Sequence, residues 1–267
     1  MQPLSTFQAE ARRDIRGIFA DIDETITTDG RITSDALAAM ERVRQAGLMM
    51  IPVTGRPAGW CDHIARMWPV DAVVGENGAF FFRHDPDRNV MVRRYVLTRD
   101  QRRDNWDRYE SILTQIIKEV DGAKVAADQA YREADLAIDY CEDVENLCPD
   151  AVAKIVDIME SHGMVAKVSS IHVNGWFGEY DNLSVIHIMM RDVFMFDLVR
   201  DKKHFAFIGD SPNDVPMFDF FPHSIGVANV RAFEDKLDAK PAYVTEAAAG
   251  QGFAEAVDYI LAAMGKP

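Results

Sequence analysis

The stretch Ile18-Phe19-Ala20-Asp21-Ile22-Asp23-Glu24-Thr25 decides how the chain is read, because an apolar run ends there in acids and a hydroxyl. Such a run suits a strand buried on both faces of a parallel sheet, whose last residues are delivered to the sheet edge on a rigid support. Asp21 and Asp23 are two apart, so continued strand geometry sends both to one side and Ile22 into the core. Two close carboxylates repel unless something positive lies between them. A hard divalent cation, magnesium first, takes oxygen ligands and also binds phosphate. Asp and Thr also follow strands as caps and turns, for purely local hydrogen-bonding reasons.

Two further segments repeat the pattern of an apolar strand ending in polar residues. Met49-Met50-Ile51-Pro52-Val53-Thr54-Gly55-Arg56-Pro57 ends before a helix for which Pro57 suits the first position. The Thr54 hydroxyl, with the backbone N–H groups of Gly55 and the helix start, suits a phosphate oxygen, although an ordinary strand-to-helix turn reads the same way. Phe205-Ala206-Phe207-Ile208-Gly209-Asp210-Ser211-Pro212-Asn213-Asp214 again ends in acids, and Asp210 and Asp214 would complete a metal shell. Three strand-end polar clusters in a chain of alternating strands and helices point to one face of one sheet.

Around these motifs the pattern is β-α-β-α-β. A helix is predicted from Thr33 to Ala46, stopped by Gly47, then a strand to Thr54, a helix from Pro57 to Trp68 and a strand from Ala72 to Gly75. From Phe82 to about Trp176 the grammar changes. Val90 to Val96 reads as a strand, Asp100 to Val120 as a long helix, and Val125 and Leu136 to Tyr140 as strands. A helix from Asp150 to His162 and strands around Val165 to Ser169 and Ile171 to Asn174 follow. The main pattern resumes with a helix from Leu183 to Phe196, strands at Phe205, Ile225 to Val227 and Tyr243 to Thr245, and a helix from Phe253 to Met264. The expected fold is α/β, a Rossmann-like parallel-sheet core of residues 1–82 and 178–267 with an inserted α+β cap of residues 83–177.

Asp21, Asp23 and Thr25 match Asp-x-Asp-x-Thr, the first motif of the haloacid dehalogenase superfamily, which this chain resembles; Thr54 matches its second motif and Gly209 to Asp214 its fourth. Gly75-Glu76-Asn77-Gly78-Ala79 resembles the segment leading into the lid of its Cof-type branch, which includes sucrose-phosphatase-like enzymes. The resemblance implies a magnesium-dependent phosphatase working through an aspartyl phosphate. It implies Asp21 as nucleophile and Asp23 as acid and base, a carboxyl whose hold on its proton is strengthened by the adjacent acid. It places magnesium on Asp21, the Asp23 backbone carbonyl, Asp210 and nearby Asp214, and a lid that selects the substrate. A phosphorylated sugar is the implied substrate class, with His172 and Asn174 as lid candidates and Gly55 and Arg56 beside the phosphate. Cross-strand hydrogen bonding alone also accounts for His172 and Asn174.

The chain departs from the family at the third motif, where the lysine position falls on Asn182. Asparagine brings no positive charge, and losing one such electrostatic donor costs about 10²- to 10³-fold in rate. Lys203, at the far end of the Phe205 strand, lies about 20 Å from the catalytic edge at ~3.3 Å per residue. Arg56 is the better compensating cation. A phosphomutase of the same fold, or a sugar-phosphate binder without turnover, remains compatible, as does an inactivating substitution at Asn182.

A net charge of −14 over 267 residues argues against a nucleic-acid partner, and Arg102 and Arg103 are interleaved with Asp100, Asp104 and Asp107. Cys61, Cys141 and Cys148 have no paired short spacing, so buried free thiols are expected rather than disulfides or zinc ligands. No run approaches the ~18 apolar residues of a membrane span, and the expectation is a soluble, cytoplasmic protein.

Overall fold

The structure is a computed structural model describing residues 1–169 and 171–265. Its large sheet runs in the spatial order Gln2–Pro3, Tyr243–Val244, His223–Gly226, Phe205–Gly209, Gly17–Asp21, Met49–Val53, Val73–Gly75, Phe80–Asp85, Val90–Tyr95. The first seven strands are parallel; Phe80–Asp85 runs antiparallel to both its neighbours, so the edge strand Val90–Tyr95 again points the same way as the seven. Gly17–Asp21 and Phe205–Gly209 are direct neighbours, with Ile18 opposite Ala206 and Ala20 opposite Ile208. From that pair the chain order runs outward in both directions, so the crevice at their carboxyl ends is the switch point where open α/β sheets bind ligands.

The apolar runs are continuous because helices cover both sheet faces. Ile18, Ala20 and Met50 pack beneath the helices Ser34–Gln45, Ala58–Met67 and Ala249–Ala262. Phe19, Ile51, Val53 and Phe207 pack beneath Asn182–Asp192 and Val215–Phe220. Thr33 caps the first of these helices by accepting from Ala36 N–H, and Gly47 follows its end in the left-handed region, as predicted. Pro57 is the N-cap, with ψ of 162°, rather than the first helical residue. The last helix starts at Ala249, four residues earlier than predicted, because Gly250 and Gly252 weaken the helical signal in sequence. Both sit where backbone and hydroxyl oxygens approach closely.

A separate antiparallel sheet has the order Val165–Val168, His172–Trp176, Leu136–Asp139, Lys124–Val125. Leu136, Ile138 and Val173 face the helices Arg99–Glu119 and Pro149–Ser161, making a core with Tyr109, Ile112 and Ile155. Strand alternation sends Lys167, His172 and Asn174 to the opposite face, over the carboxyl ends of the large sheet. This is the expected α+β lid, with one correction. Val90–Tyr95, read as part of the insert, pairs along its length with Phe80–Asp85 and forms an edge of the large sheet. Tyr95 is anchored by the rings of Phe80 and Phe82, and the exposed Arg93 and Arg94 suit an edge strand.

The turn Glu76-Asn77-Gly78 holds three successive positive φ angles, 44°, 54° and 96°. A Cβ on Gly78 would lie 2.2 Å from the carbonyl carbon and oxygen of Asp181, just before the Asn182 helix. Backbone cannot move aside cheaply. Gly78→Ala is therefore expected to lower the thermal midpoint by roughly 5–10 °C, measured by circular dichroism; a shift under about 2 °C would contradict this close approach.

Candidate active site

Beyond Asp21 the strand pairing ends; Asp23 is still extended at φ −73°, ψ 122°, and the chain turns at Glu24, left-handed at φ 57°, ψ 14°. Ile22 still enters the core, 4% exposed. The two carboxylates, expected side by side, part company. Asp21 turns toward Asp210 and Asp214, and one oxygen from each of the three lies within 4.8 Å of the others. Asp23 turns to Arg56, which donates from Nη2 at 2.8 Å and from Nε at 3.0 and 3.1 Å.

Asp210 and Asp214 belong to the loop after Phe205–Gly209. The loop folds around Asp214 Oδ2, which accepts from Asp210 N–H at 2.9 Å and Ser211 N–H at 3.2 Å. A Cβ at Gly209 would sit 2.5 Å from that oxygen, which is why glycine precedes the acids. Asn229 Nδ2 donates to Asp210 Oδ2 at 2.9 Å and to the Glu24 carbonyl at 3.1 Å, tying the two loops together. The Thr25 hydroxyl lies 3.5 Å from Asp210 Oδ1.

Burial, then Asp214, Asp210 and Asp23, push the Asp21 carboxyl well above its ordinary range. Burial and Asp214 raise Asp210 to about 8, and burial raises Asp214 to about 6 against the pull of its backbone hydrogen bonds. Three acids that resist charging together, all offering oxygen, fit a hard divalent cation. The Asp23 carboxylate is not among them, which leaves only its backbone carbonyl for the metal role expected of it.

All the sequence-derived candidates except Thr54 line one cavity of about 610 Å³. Thr54 is buried directly behind it, its hydroxyl accepting from Arg56 N–H at 3.0 Å. Gly55 presents its backbone there, its carbonyl accepting from Arg132 Nη1 of the lid segment at 3.1 Å. Asn182 opens its helix after the capping residue Asp181, and its Oδ1 is buried with no hydrogen-bond partner among the described residues. Asn174 donates to Asp135 Oδ2 at 3.0 Å, and His172 Nε2 lies 2.9 Å from Glu142 Oε2. Arg56, expected to offset the missing lysine, is occupied by Asp23, by Glu142 at 3.6 Å and by the face of Trp60 at 4.6 Å.

The lid is docked on the core. Glu76 accepts from Ala58 N–H on the core and from Glu133 and Ala134 N–H on the lid, at 2.6–3.1 Å. Lys167 donates to the Asn213 carbonyl at 3.0 Å. Lys167, Asn229, Arg132 and Glu142 were not among the sequence candidates. None lies in a motif, and only the packing of lid on core brings the lid residues to the acids. The thiols differ from expectation: Cys61 is buried, Cys141 half-buried and Cys148 exposed, and among the described residues no disulfide joins them.

A mainly parallel α/β sheet with an acidic centre at its switch point carries an α+β lid docked over that centre. The profile of the haloacid dehalogenase-like hydrolases matches residues 18–111, and over that stretch the chain is similar to the family. It is 24% identical over 263 residues to a phosphoglycolate phosphatase of Methanothrix thermoacetophila, covering 93% of this chain and 98% of that one. Among solved structures, protein 0175 of Thermoplasma acidophilum superposes with a TM-score of 0.71 at 18% identity, covering 92% of this chain and 98% of its own. The sucrose-phosphatase of Synechocystis sp., solved with sucrose and phosphate, superposes with a TM-score of 0.63 at 14% identity, covering 93% and 98%. Among the described residues no helix is long and apolar enough to cross a membrane.

Proposed function

We propose that the chain is a magnesium-dependent phosphatase acting on a small phosphate monoester, with a phosphorylated sugar as its substrate class. The observation that carries this reading is the meeting of Asp21 with Asp210 and Asp214 beneath the polar face of the lid. A carboxylate oxygen of Asp21 bonds to phosphorus as the ester P–O bond breaks, giving an aspartyl phosphate. Asp23 gives a proton to the departing alkoxide oxygen, then takes one from the water that attacks the intermediate. Phosphate leaves and the Asp21 carboxylate is restored. Arg56 fixes the orientation of Asp23, and Glu142 offers the guanidinium a second acceptor. Magnesium held by Asp21, Asp210, Asp214 and the Asp23 carbonyl would neutralise charge on the phosphoryl oxygens. Thr54, Gly55 and Asn182 orient the phosphate, and His172 and Asn174 form an ordered polar wall for the alcohol half. On this reading residues 1–82 and 178–267 are the catalytic unit, joined by the edge strand Val90–Tyr95, and the lid lies in the remainder of 83–177.

The test is phosphate release with magnesium over a panel of hexose and disaccharide phosphates together with 2-phosphoglycolate, the substrate named for the curated relative. Turnover that stops on chelation and returns with magnesium supports the reading. The best sugar phosphate outpacing 2-phosphoglycolate supports the substrate class, and the reverse order replaces it with a small acid phosphate. Isomerised sugar phosphate without free phosphate would make the chain a mutase. Binding without turnover would make it a binder.

A further inference from the structure

We infer that Lys167, carried by the lid, supplies the phosphate-facing positive charge that Asn182 lacks; this rests on the phosphatase reading above. Lys167 and Asn182 line the same cavity from opposite sides of the lid–core seam. The lid strand places the lysine there by register. Lys167 is opposite Asn174, while its neighbour Ala166 packs into the lid core, so the lysine leaves the sheet on the face above the acids.

The other cations of the cavity are engaged elsewhere or stand at its mouth. Arg56 is paired with Asp23 and Glu142, and Arg132 with Asp128 at 2.9 Å and Asp135 at 3.0 Å. Lys236 is exposed. Among the described residues Lys167 joins no ion pair; burial disfavours its charge, while the nearby Asp214, Asp21 and Asp181 favour it. One N–H of its ammonium goes to the carbonyl of Asn213, the residue before Asp214. The remaining two are available to a ligand oxygen. An ammonium fixed beside three acids, without a carboxylate of its own, is suited to an incoming phosphate dianion.

Moving the charge from core to lid has a mechanical consequence. Lys167 is anchored on the core through Asn213 only while the lid is down, so the electrostatic site is complete only when closed. The amide of Asn182 then completes the phosphate's hydrogen bonds without competing for the same charge.

The experiment compares wild type, Lys167→Met and Lys167→Met/Asn182→Lys by two readouts. One is phosphate release from the best ester of the panel, and the other is calorimetric binding of inorganic phosphate in the presence of magnesium. Thermal midpoints confirm that each variant is folded, and Lys167→Arg serves as the charge-keeping variant if Lys167→Met is not. Lys167→Met is expected to lower kcat/KM by about 10²- to 10³-fold and weaken phosphate binding at least about tenfold, with the second substitution recovering part of both. If Lys167→Met keeps binding within about twofold and turnover within about threefold, the inference is overturned. If wild type hydrolyses no ester but loses phosphate binding on Lys167→Met, the phosphatase reading falls and the role of Lys167 stands. If wild type neither hydrolyses an ester nor binds phosphate, both fall.

Discussion

Asp21→Asn is expected to abolish phosphate release, by about 10⁴- to 10⁶-fold, while leaving the fold intact. Asn has nearly the same shape as Asp and keeps an oxygen for the local hydrogen bonds, but it does not attack phosphorus, so the covalent route is closed. The alternative, direct attack by water, has no pre-positioned nucleophile and loses the advantage of splitting a slow hydrolysis into two steps. Stability should not fall. Burial and three neighbouring acids already push the Asp21 carboxyl up, so a neutral side chain relieves repulsion rather than removing a needed charge. The measurements are single-turnover phosphate release and thermal unfolding of the same preparation. Residual turnover within about tenfold of wild type would remove Asp21 from the role of nucleophile, and a collapsed midpoint would make the loss structural.

How far the sequence leads differs between core and lid, for a physical reason. Core motifs are local: each strand end carries its own polar residues, and a parallel sheet brings such ends to one edge automatically. Asp21, Asp210 and Asp214 were therefore legible before any coordinates. The position of Asp23 was only half legible, because strand periodicity was extended one residue too far. The strand ends at Asp21, and Asp23 faces Arg56 instead of the cluster of Asp21, Asp210 and Asp214 before the chain turns at the left-handed Glu24. The lid contributes through a face that alternates with its own core, so its residues look like ordinary strand polar positions. Lys167 sits in Val165-Ala166-Lys167-Val168, which in sequence is an unremarkable amphipathic strand. Its meaning depends on which face of the lid is turned down. That is set by packing of Leu136, Ile138 and Val173 under two helices far away in sequence. The Val90–Tyr95 strand failed for a related reason. Its period marked a strand correctly, but partner choice was decided by the ring contacts of Tyr95 with Phe80 and Phe82.

Asp210→Asn should reverse the order of stability between metal-free and magnesium-loaded protein. In the folded, metal-free chain the Asp210 carboxyl is raised to about 8, by burial first and then by Asp214, from an ordinary value of 3.8. A carboxyl raised on folding binds its proton more tightly in the folded state. Its stabilising contribution is complete below about pH 4 and is lost as pH rises through about 8. Metal-free wild type should therefore melt lower at pH 8 than at pH 5. Asn cannot ionise, and its Oδ1 can still accept from Asn229 Nδ2, so the variant should melt about 5 °C higher than metal-free wild type at pH 8, with the gap closing toward pH 5. Magnesium changes the sign. An ion at a hundred times its dissociation constant stabilises wild type by about 2.7 kcal/mol, whereas a site short of one carboxylate gains much less. Wild type should thus overtake the variant as magnesium is added at pH 8, and phosphate release by the variant should fall by at least about 10². The measurement is a magnesium titration of the thermal midpoint at both pH values. An equal magnesium-induced rise in both proteins would place the ion elsewhere. A variant that melts below metal-free wild type at pH 8 would mean that the Asp210 charge is needed by the fold itself.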